Sequence, residues 1–429
     1  MAGTGRPGVS RNAMPRRQRW TPVKGTGTRV ASPAERALLA AADLPLRVLG
    51  RAPMLAAPPL DGDRVREVLV LRLDRIGDLL MSLPALSDLR RAYPGARIRL
   101  AVGRWSEEIA RRAPVDDVLV WSAPWVGRPS EGAQTRRALW RRALGLRAER
   151  LDLALDLQGD VRAAWLMALT GARERIGYAN TGGARLLTRV VPLDETVSWI
   201  DQNRRAVAVA AGPEAIGAGA PVDLLTADDR ARARAVLAAQ GLDGLRPLVG
   251  LHASGGRPVK QWAPARWREV AARLQREFGA AFVLTGTAAD HPLAEQVARG
   301  LGSAVRDLTG RLPLIDALAV IGALDLFLSA DTGPMHMAAA VGTPSVSVFG
   351  PSDARRYFSG GTGAPGTRHV VAQAELWCAP CNLIRRPPTE CLGPEGPECL
   401  RLVTTDQVHA AAAALLRAGG FPPREAGAA

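Results

Sequence analysis

From Val65 onward the chain alternates short, uninterrupted apolar runs with helical periods, and that alternation leaves few folds open. Val68-Leu69-Val70-Leu71 is an apolar run of strand length, suited to a strand covered on both faces of a sheet. The loop Arg72 to Gly77 follows, and then a helical pattern from Asp78 to Tyr93 that Pro94-Gly95 stops. Strands predicted at 98–102, 118–121 and 153–157 alternate in the same way with helices at 105–112, 134–150 and 159–170. Such strand-helix-strand units build a parallel sheet with helices on both faces, one doubly wound α/β half.

Between about Thr181 and Arg246 the pattern weakens, with a Gly/Ala/Pro-rich stretch from Ala211 to Pro221 and a helix from Ala227 to Gln240. A second set follows, with strands at 248–252, 281–285, 326–329 and 345–349 and helices at 265–278, 291–300, 314–323 and 334–341. The chain therefore divides into an extension, 1–64, and two Rossmann-like domains, 65–240 and 241–420, with a ligand cleft expected between them. At 47% apolar residues both halves can bury a core.

The formal charge of +15 has to be located before it means anything. Part of it is in the extension, where Arg6, Arg11, Arg16, Arg17, Arg19, Lys24 and Arg29 precede the first acid, Glu35. Without an apolar core and a small-residue cleavage site this segment reads as a disordered basic tail, not a secretory signal. The stretch Thr332 to Ser352 lacks charge but holds Gly333, Pro334, Gly342, Pro344, Gly350 and Pro351, so it is not a membrane span.

Three loops carry candidate chemistry. Asp78 opens a helix directly after the first strand, at the carboxyl edge where open α/β sheets bind ligands; it can also be a simple first-turn acid that favours the helix dipole. Asp331-Thr332-Gly333-Pro334-Met335-His336 follows a strand, with Asp331 or Thr332 able to cap a helix whose free N–H groups suit a phosphate. His336 alone would be read as a satisfied core residue. Ser254-Gly255-Gly256 lets backbone approach an anion, with Lys260 as a point charge. No G-x4-G-K-[ST] loop occurs and no GxGxxG follows the first strand, which argues against P-loop hydrolysis and nicotinamide redox chemistry.

Taken together these segments resemble glycosyltransferase family 9, the heptosyltransferase-like enzymes. The resemblance runs from about Val65 to Leu416. It is carried by R-x4-G-D-x5-P-A-L (Arg72 to Leu86), Asp156-Leu157-Gln158-Gly159 with Arg175-Ile176-Gly177-Tyr178, and Lys260-Gln261-Trp262. Most specific is Asp331 to Ala340 followed by Phe349-Gly350-Pro351-Ser352. It implies an α/β GT-B fold, two Rossmann-like doubly wound domains facing a central cleft, with the acceptor on the first and a nucleotide-diphosphate sugar on the second. The implied reaction is inverting, with no cofactor or metal for catalysis and ADP-heptose as the common donor. The implied acceptor is a glycolipid or other glycan, commonly the lipopolysaccharide inner core. By the same resemblance Asp78 is the general base. Lys260 and the N–H groups of Thr332 and Gly333 stabilise the departing diphosphate, His336 faces it, and Asp290 lies near the ribose. Ser254 and Asp331 complete the nucleotide-sugar set. The Ala253-Ser254-Gly255 loop departs from the family's usual Pro-Gly-Ala type, and the extension before Val65 has no family counterpart.

The four cysteines fall in one segment, Cys378-x2-Cys381-x9-Cys391-x7-Cys399. As four thiolates they are a candidate structural zinc or iron–sulfur site; two disulfides or free thiols are the other readings. Gln134 to Arg150 is a basic amphipathic helix that could rest on an anionic membrane or simply present a solvated face. At 4% aromatic residues and with no nucleic-acid-binding motif, no nucleic acid partner is expected. The expected location is cytoplasmic, with a peripheral position at the inner face of the cytoplasmic membrane. Two other readings stay open, a nucleotide-sugar 2-epimerase of GT-B architecture and a degenerate non-catalytic sugar-binding protein.

Overall fold

The computed structural model describes residues 59–126, 132–217, 222–358, 368–376, 379–380, 391 and 396–424. Two six-stranded sheets result among the described residues, and every strand pairing in them is parallel. The first consists of β1 (Glu67–Arg72), β2 (Arg97–Val102), β3 (Asp117–Val120), β4 (Leu153–Asp156), β5 (Glu174–Gly177) and β6 (Arg189–Val190). The second consists of β7 (Leu248–His252), β8 (Ala281–Leu284), β9 (Val305–Asp307), β10 (Leu326–Ala330), β11 (Ser345–Phe349) and β12 (His369–Gln373). Their orders, β3-β2-β1-β4-β5-β6 and β9-β8-β7-β10-β11-β12, are the same topology used twice. Each order reverses beside its first strand, so each sheet has a switch point there, and the carboxyl ends of β1 and β7 are where a ligand crevice opens.

The helices of five residues or more are α1 (Ile76–Leu80), α2 (Leu83–Ala92), α3 (Arg136–Gly145), α4 (Val161–Thr170), α5 (Trp199–Ala211), α6 (Ala227–Ala239), α7 (Pro264–Phe278), α8 (His291–Ala298), α9 (Leu314–Gly322), α10 (Gly333–Ala340) and α11 (Thr405–Ala418). The single helix expected over Asp78 to Tyr93 is two. Pro84, at the second position of α2, has no N–H to give to Leu80, so the helix stops and restarts around Met81-Ser82. At the break the Ser82 hydroxyl donates to the Asp78 carbonyl at 2.8 Å. The helix expected over 134–150 is α-helical only to Gly145 and tightens to a 3-10 turn at Leu146–Glu149; that expected over 105–112 is a 3-10 turn and one α turn.

The central strands β1, β2, β7, β10 and β11 are buried along nearly all of their length, which is why their apolar runs are legible in the sequence. The strands that the apolar pattern did not mark, β5, β6, β9 and β12, are short and half-buried at the flanks of the sheets. One apolar core continues from under the first sheet to residues such as Leu318, Val320 and Phe327 of the second half. α6 lies against α9, where Arg232 pairs with Asp316 at 3.1 Å, and Arg112 reaches Asp229 of α6 at 3.1 Å. On another side of the junction, Arg356 donates to the Asp194 carbonyl at 2.7 Å and lies 5.1 Å over the Trp199 ring. Among the described residues no helix is long and apolar enough to cross a membrane.

Candidate active site

At the carboxyl end of β1 the chain must turn into α1, and a buried arginine holds the turn. Arg72 donates to the Asp78 carbonyl from Nε (3.0 Å) and Nη2 (2.9 Å) and to the Leu157 carbonyl from Nη1, tying the β1 loop to the end of β4. Its guanidinium lies 3.3 Å from Asp74 Oδ1 and 3.9 Å from Asp78 Oδ1. Asp78 serves two ends. Oδ2 accepts the Arg75 N–H at 3.2 Å and closes the first turn of α1, while the side chain keeps 31% of its surface exposed. Oδ2 is thus engaged at the helix start, and part of the carboxylate stays open to solvent.

On the second sheet β10 runs into Asp331, which is buried. Lys260 places Nζ 2.7 Å from Asp331 Oδ2 and 3.0 Å from the Asp331 carbonyl, and the Ser352 hydroxyl donates to Oδ2. Lys24 and Lys260 are the only lysines among the 56 lysines and arginines of the chain, so a compact ammonium stands where this sequence otherwise uses guanidinium. The cap expected from Asp331 or Thr332 is not made. Thr332 is the N-cap of α10 but its side chain does not bond the helix, and nothing stands within 4 Å of where a Cβ on Gly333 would be. The first N–H groups of α10 thus have no side-chain partner from the cap, which is the condition for anion binding at a helix start.

His336, one turn into α10, joins the two groups. It is buried, and burial is the largest influence on its ring, pushing its pKa down to about 4; the Asp331 and Asp78 carboxylates work the other way and Lys260 adds to the depression. It is a neutral imidazole at pH 7. Asp78 from the first half and Lys260, Asp331, Thr332, Gly333 and His336 from the second therefore surround the α1–α10 contact.

Ser254 and Asp290 form a separate group at the ends of β7 and β8. Asp290 Oδ2 accepts both the N–H and the hydroxyl of Thr287 at 2.8 Å. Burial works to raise its pKa, but hydrogen bonds from Ser254 and Thr287 and the neighbouring His252 outweigh it and hold the carboxyl below its usual range. Together with Leu251, Ala253, Leu284 and Leu293 they line a small recess. The loop between folds tightly back: a Cβ on Gly255 would stand 2.5 Å from the Lys260 carbonyl, so only glycine fits.

The structure adds acids that the sequence reading left without a role. Asp74 is pushed up to about 8, chiefly by burial, with Arg72 opposing and Asp78 adding to the shift. Asp156 is pushed up to about 7 by burial although Gln158 and Gly159 each donate an N–H at 2.9 Å. Asp74 sits two residues past Arg72, and an arginine-acid alternation at a strand end was the available signal. Around them, Asp74 Oδ1, Trp125 Nε1, Gln134 Oε1, Gln158 Oε1 and Asn180 Oδ1 are buried yet make no hydrogen bond among the described residues. All lie in segments that leave the carboxyl ends of β1, β3, β4 and β5. Buried polar atoms are nearly always satisfied, and Tyr93 Oη, Ser106 Oγ, Asn203 Oδ1 and Trp267 Nε1 are further exceptions elsewhere in the two halves.

Of the cysteines, Cys378 and Cys381 lie outside the described residues, as does the 1–58 part of the basic extension. Cys391 is half-buried and Cys399 is buried, with Sγ 3.4 Å from where a Gly350 Cβ would be. Among the described residues no three His, Cys, Asp or Glu side chains are grouped to hold a metal ion.

The sequence pattern of glycosyltransferase family 9 (heptosyltransferase) matches residues 136–387, more than half of the chain. Lipopolysaccharide heptosyltransferase 1 of Pseudomonas aeruginosa is 29% identical over 330 residues, covering 73% of this chain and 85% of its own. Lipopolysaccharide heptosyltransferase 2 of Salmonella typhimurium is 28% identical over 299 residues, 67% of this chain and 83% of its own. A crystal structure of a family 9 glycosyl transferase from Veillonella parvula shares the fold, with a TM-score of 0.71 and 22% identity over 85% of this chain and all of that one. A strand-end arginine with its G-D turn, a lysine-aspartate pair at the opposite sheet and a pattern match over most of the chain converge: the protein belongs to glycosyltransferase family 9, the heptosyltransferases.

Proposed function

We propose that this glycosyltransferase moves a heptose-type sugar, with ADP-heptose the expected donor, to a hydroxyl of a glycolipid, inverting the anomeric carbon without a catalytic metal. The observation that carries the reading is the meeting of Asp78 from the first half with the Lys260–Asp331 pair and the start of α10 from the second. In this reading the exposed edge of Asp78 accepts the proton of the acceptor hydroxyl. The acceptor oxygen bonds to the anomeric carbon from the face opposite the phosphate. The bond from that carbon to the phosphate oxygen breaks, and the nucleoside diphosphate leaves with the electron pair.

The leaving group needs positive charge that a metal supplies in many sugar transferases. Here Lys260 directs its ammonium at two oxygens of Asp331 and has a third donor for a phosphate oxygen. The open N–H groups at Thr332 and Gly333 add the helix dipole, and neutral His336 adds at most a hydrogen bond. The Ser254–Asp290 recess suits a nucleoside, with Asp290 toward the ribose hydroxyls. The unsatisfied polar atoms along the first sheet suit a polyhydroxylated acceptor. The names of the relatives point to a lipopolysaccharide acceptor, and so to work in the cytoplasm at the inner face of the membrane.

The test is calorimetric binding of ADP, GDP, UDP and dTDP without added metal, followed by transfer assays in chelator. Selective ADP binding and chelator-resistant transfer are expected. Preference for another nucleotide moves the donor, and no binding to any of the four overturns the reading.

A further inference from the structure

Among the described residues five large apolar side chains are exposed, and three of them fall on two adjacent helices: Trp140 (52%) and Leu144 (43%) on α3 and Trp165 (37%) on α4. Trp140 and Leu144 are one turn apart and share a face, while Leu139 and Ala143 turn a neighbouring face of α3 into the core. Arg147 fastens the pair of helices together, giving Nε to the Leu169 carbonyl at 3.0 Å.

The charge around this patch is concentrated on one short helix. Arg136, Arg137, Arg141 and Arg142 are all exposed, α3 contains no acid, and none of the four makes an ion pair among the described residues. Many arginines elsewhere are matched, as in Arg90–Asp116, Arg97–Asp117, Arg99–Glu67 and Arg204–Asp88, and Arg234, Arg276 and Arg299, which make no ion pair among the described residues, stand on separate elements. Arg136 and Arg137 also occupy the first turn of α3, where the helix dipole disfavours cations. Folding alone therefore gains nothing from their position.

We propose that the outer face of α3 and α4 docks on an anionic lipid bilayer, with Trp140, Leu144 and Trp165 at headgroup depth and the unpaired arginines on lipid phosphates. Indole rings settle where an apolar body meets a wet boundary, and guanidinium pairs with phosphate in a two-pronged fashion. A nucleic acid backbone would use the arginines but leave Trp140 and Leu144 in water, whereas the headgroup layer takes both. The two helices begin at the cleft side of the first sheet. Asp160 caps α4 shortly after β4 ends, and Thr135 caps α3 next to Gln134, whose N–H reaches the carbonyl of Ser122 just past β3 at 2.7 Å. A bilayer under this face would hold a lipid-anchored hydroxyl beside that edge. Only this last consequence rests on the glycolipid reading above.

The test is sedimentation of the full chain with vesicles of phosphatidylcholine alone and of equal parts phosphatidylcholine and phosphatidylglycerol. The wild type is expected to bind the anionic vesicles, more weakly as salt rises. The double variants Trp140→Ser with Leu144→Ser and Arg137→Gln with Arg141→Gln should each lower partitioning by about tenfold with unchanged melting temperature. Both leave the basic extension in place, so wild-type partitioning by both variants would overturn the proposal by assigning binding to another surface. So would binding of a single-stranded oligonucleotide that the arginine variant loses and the tryptophan variant keeps. Calorimetric ADP binding, measured alongside, separates the two readings. Vesicle binding without nucleotide binding removes the transferase assignment alone, and nucleotide binding without vesicle binding removes the docking surface alone.

Discussion

The ring of His336 stands against the backbone of Gly77: a Cβ at position 77 would lie 2.6 Å from its Cδ2 and 3.0 Å from its Nε2. The contact joins α1 of the first half to α10 of the second, and His336 is buried. Gly77→Ala should force the halves apart by a fraction of an ångström, and misplacement on that scale costs about tenfold to a hundredfold in turnover. Adding His336→Ala should recover part of any lost melting temperature, because the opposed atoms are gone. A Gly77→Ala enzyme with wild-type turnover would show that this contact does not set the cleft.

Asp78 is best tested by Asp78→Asn, because the amide oxygen can still accept the Arg75 N–H and preserve the start of α1. The proton acceptor is lost, so kcat should drop by about 10²–10⁴ while nucleotide affinity stays the same. Turnover within tenfold of wild type would remove Asp78 as the base.

Lys260 and Asp331 are coupled, and one substitution alone confuses stability with chemistry. Lys260→Ala leaves the buried Asp331 carboxylate without its main partner, at a cost of about 2–4 kcal/mol, less than the loss of a fully buried partner because Lys260 is partly exposed. Combining it with Asp331→Asn should restore the melting temperature, because no charge is left unpaired. Nucleotide affinity should stay low in the double variant. Recovery of both would mean that Lys260 only supports the fold.

How much of this was legible in the sequence follows from burial. β1 and β10 are covered on both faces, so their apolar runs announced them, and the loops after them were found for the same reason. β6 has two residues and β9 is half-buried throughout, so neither leaves a pattern, and both are placed by pairing with β5 and β8. Asp78 and Lys260 were singled out by their places in loops after strands, and His336 only by the family resemblance. That they meet depends on two halves whose contact no local pattern records. Asp74 went unread, and Asp156 was noted in its motif without a role, for another reason: what distinguishes them is burial against Arg72 and the strand ends, a property of the packed state.

Those two acids and two histidines, His336 and His369, give the fold an unusual pH dependence. Asp74 titrates near 8 in the folded chain against 3.8 ordinarily, so between those values the native state keeps a proton that the unfolded chain has released, and stability falls as pH rises. Asp156, near 7, acts in the same direction over a shorter window. His336 and His369, both near 4 against 6.5, work oppositely: below pH 6.5 the unfolded chain takes up protons that the native state refuses, so stability rises with pH up to that point. The opposing slopes overlap up to 6.5, and above it only the acids remain. The melting temperature should therefore decline from pH 6.5 to pH 8, and Asp74→Asn should lessen that decline, leaving the variant about 2–5 °C above wild type at pH 8. Calorimetry at both pH values checks it. A parallel decline in the two proteins would mean that Asp74 is ionised in the folded state and that Arg72 neutralises it.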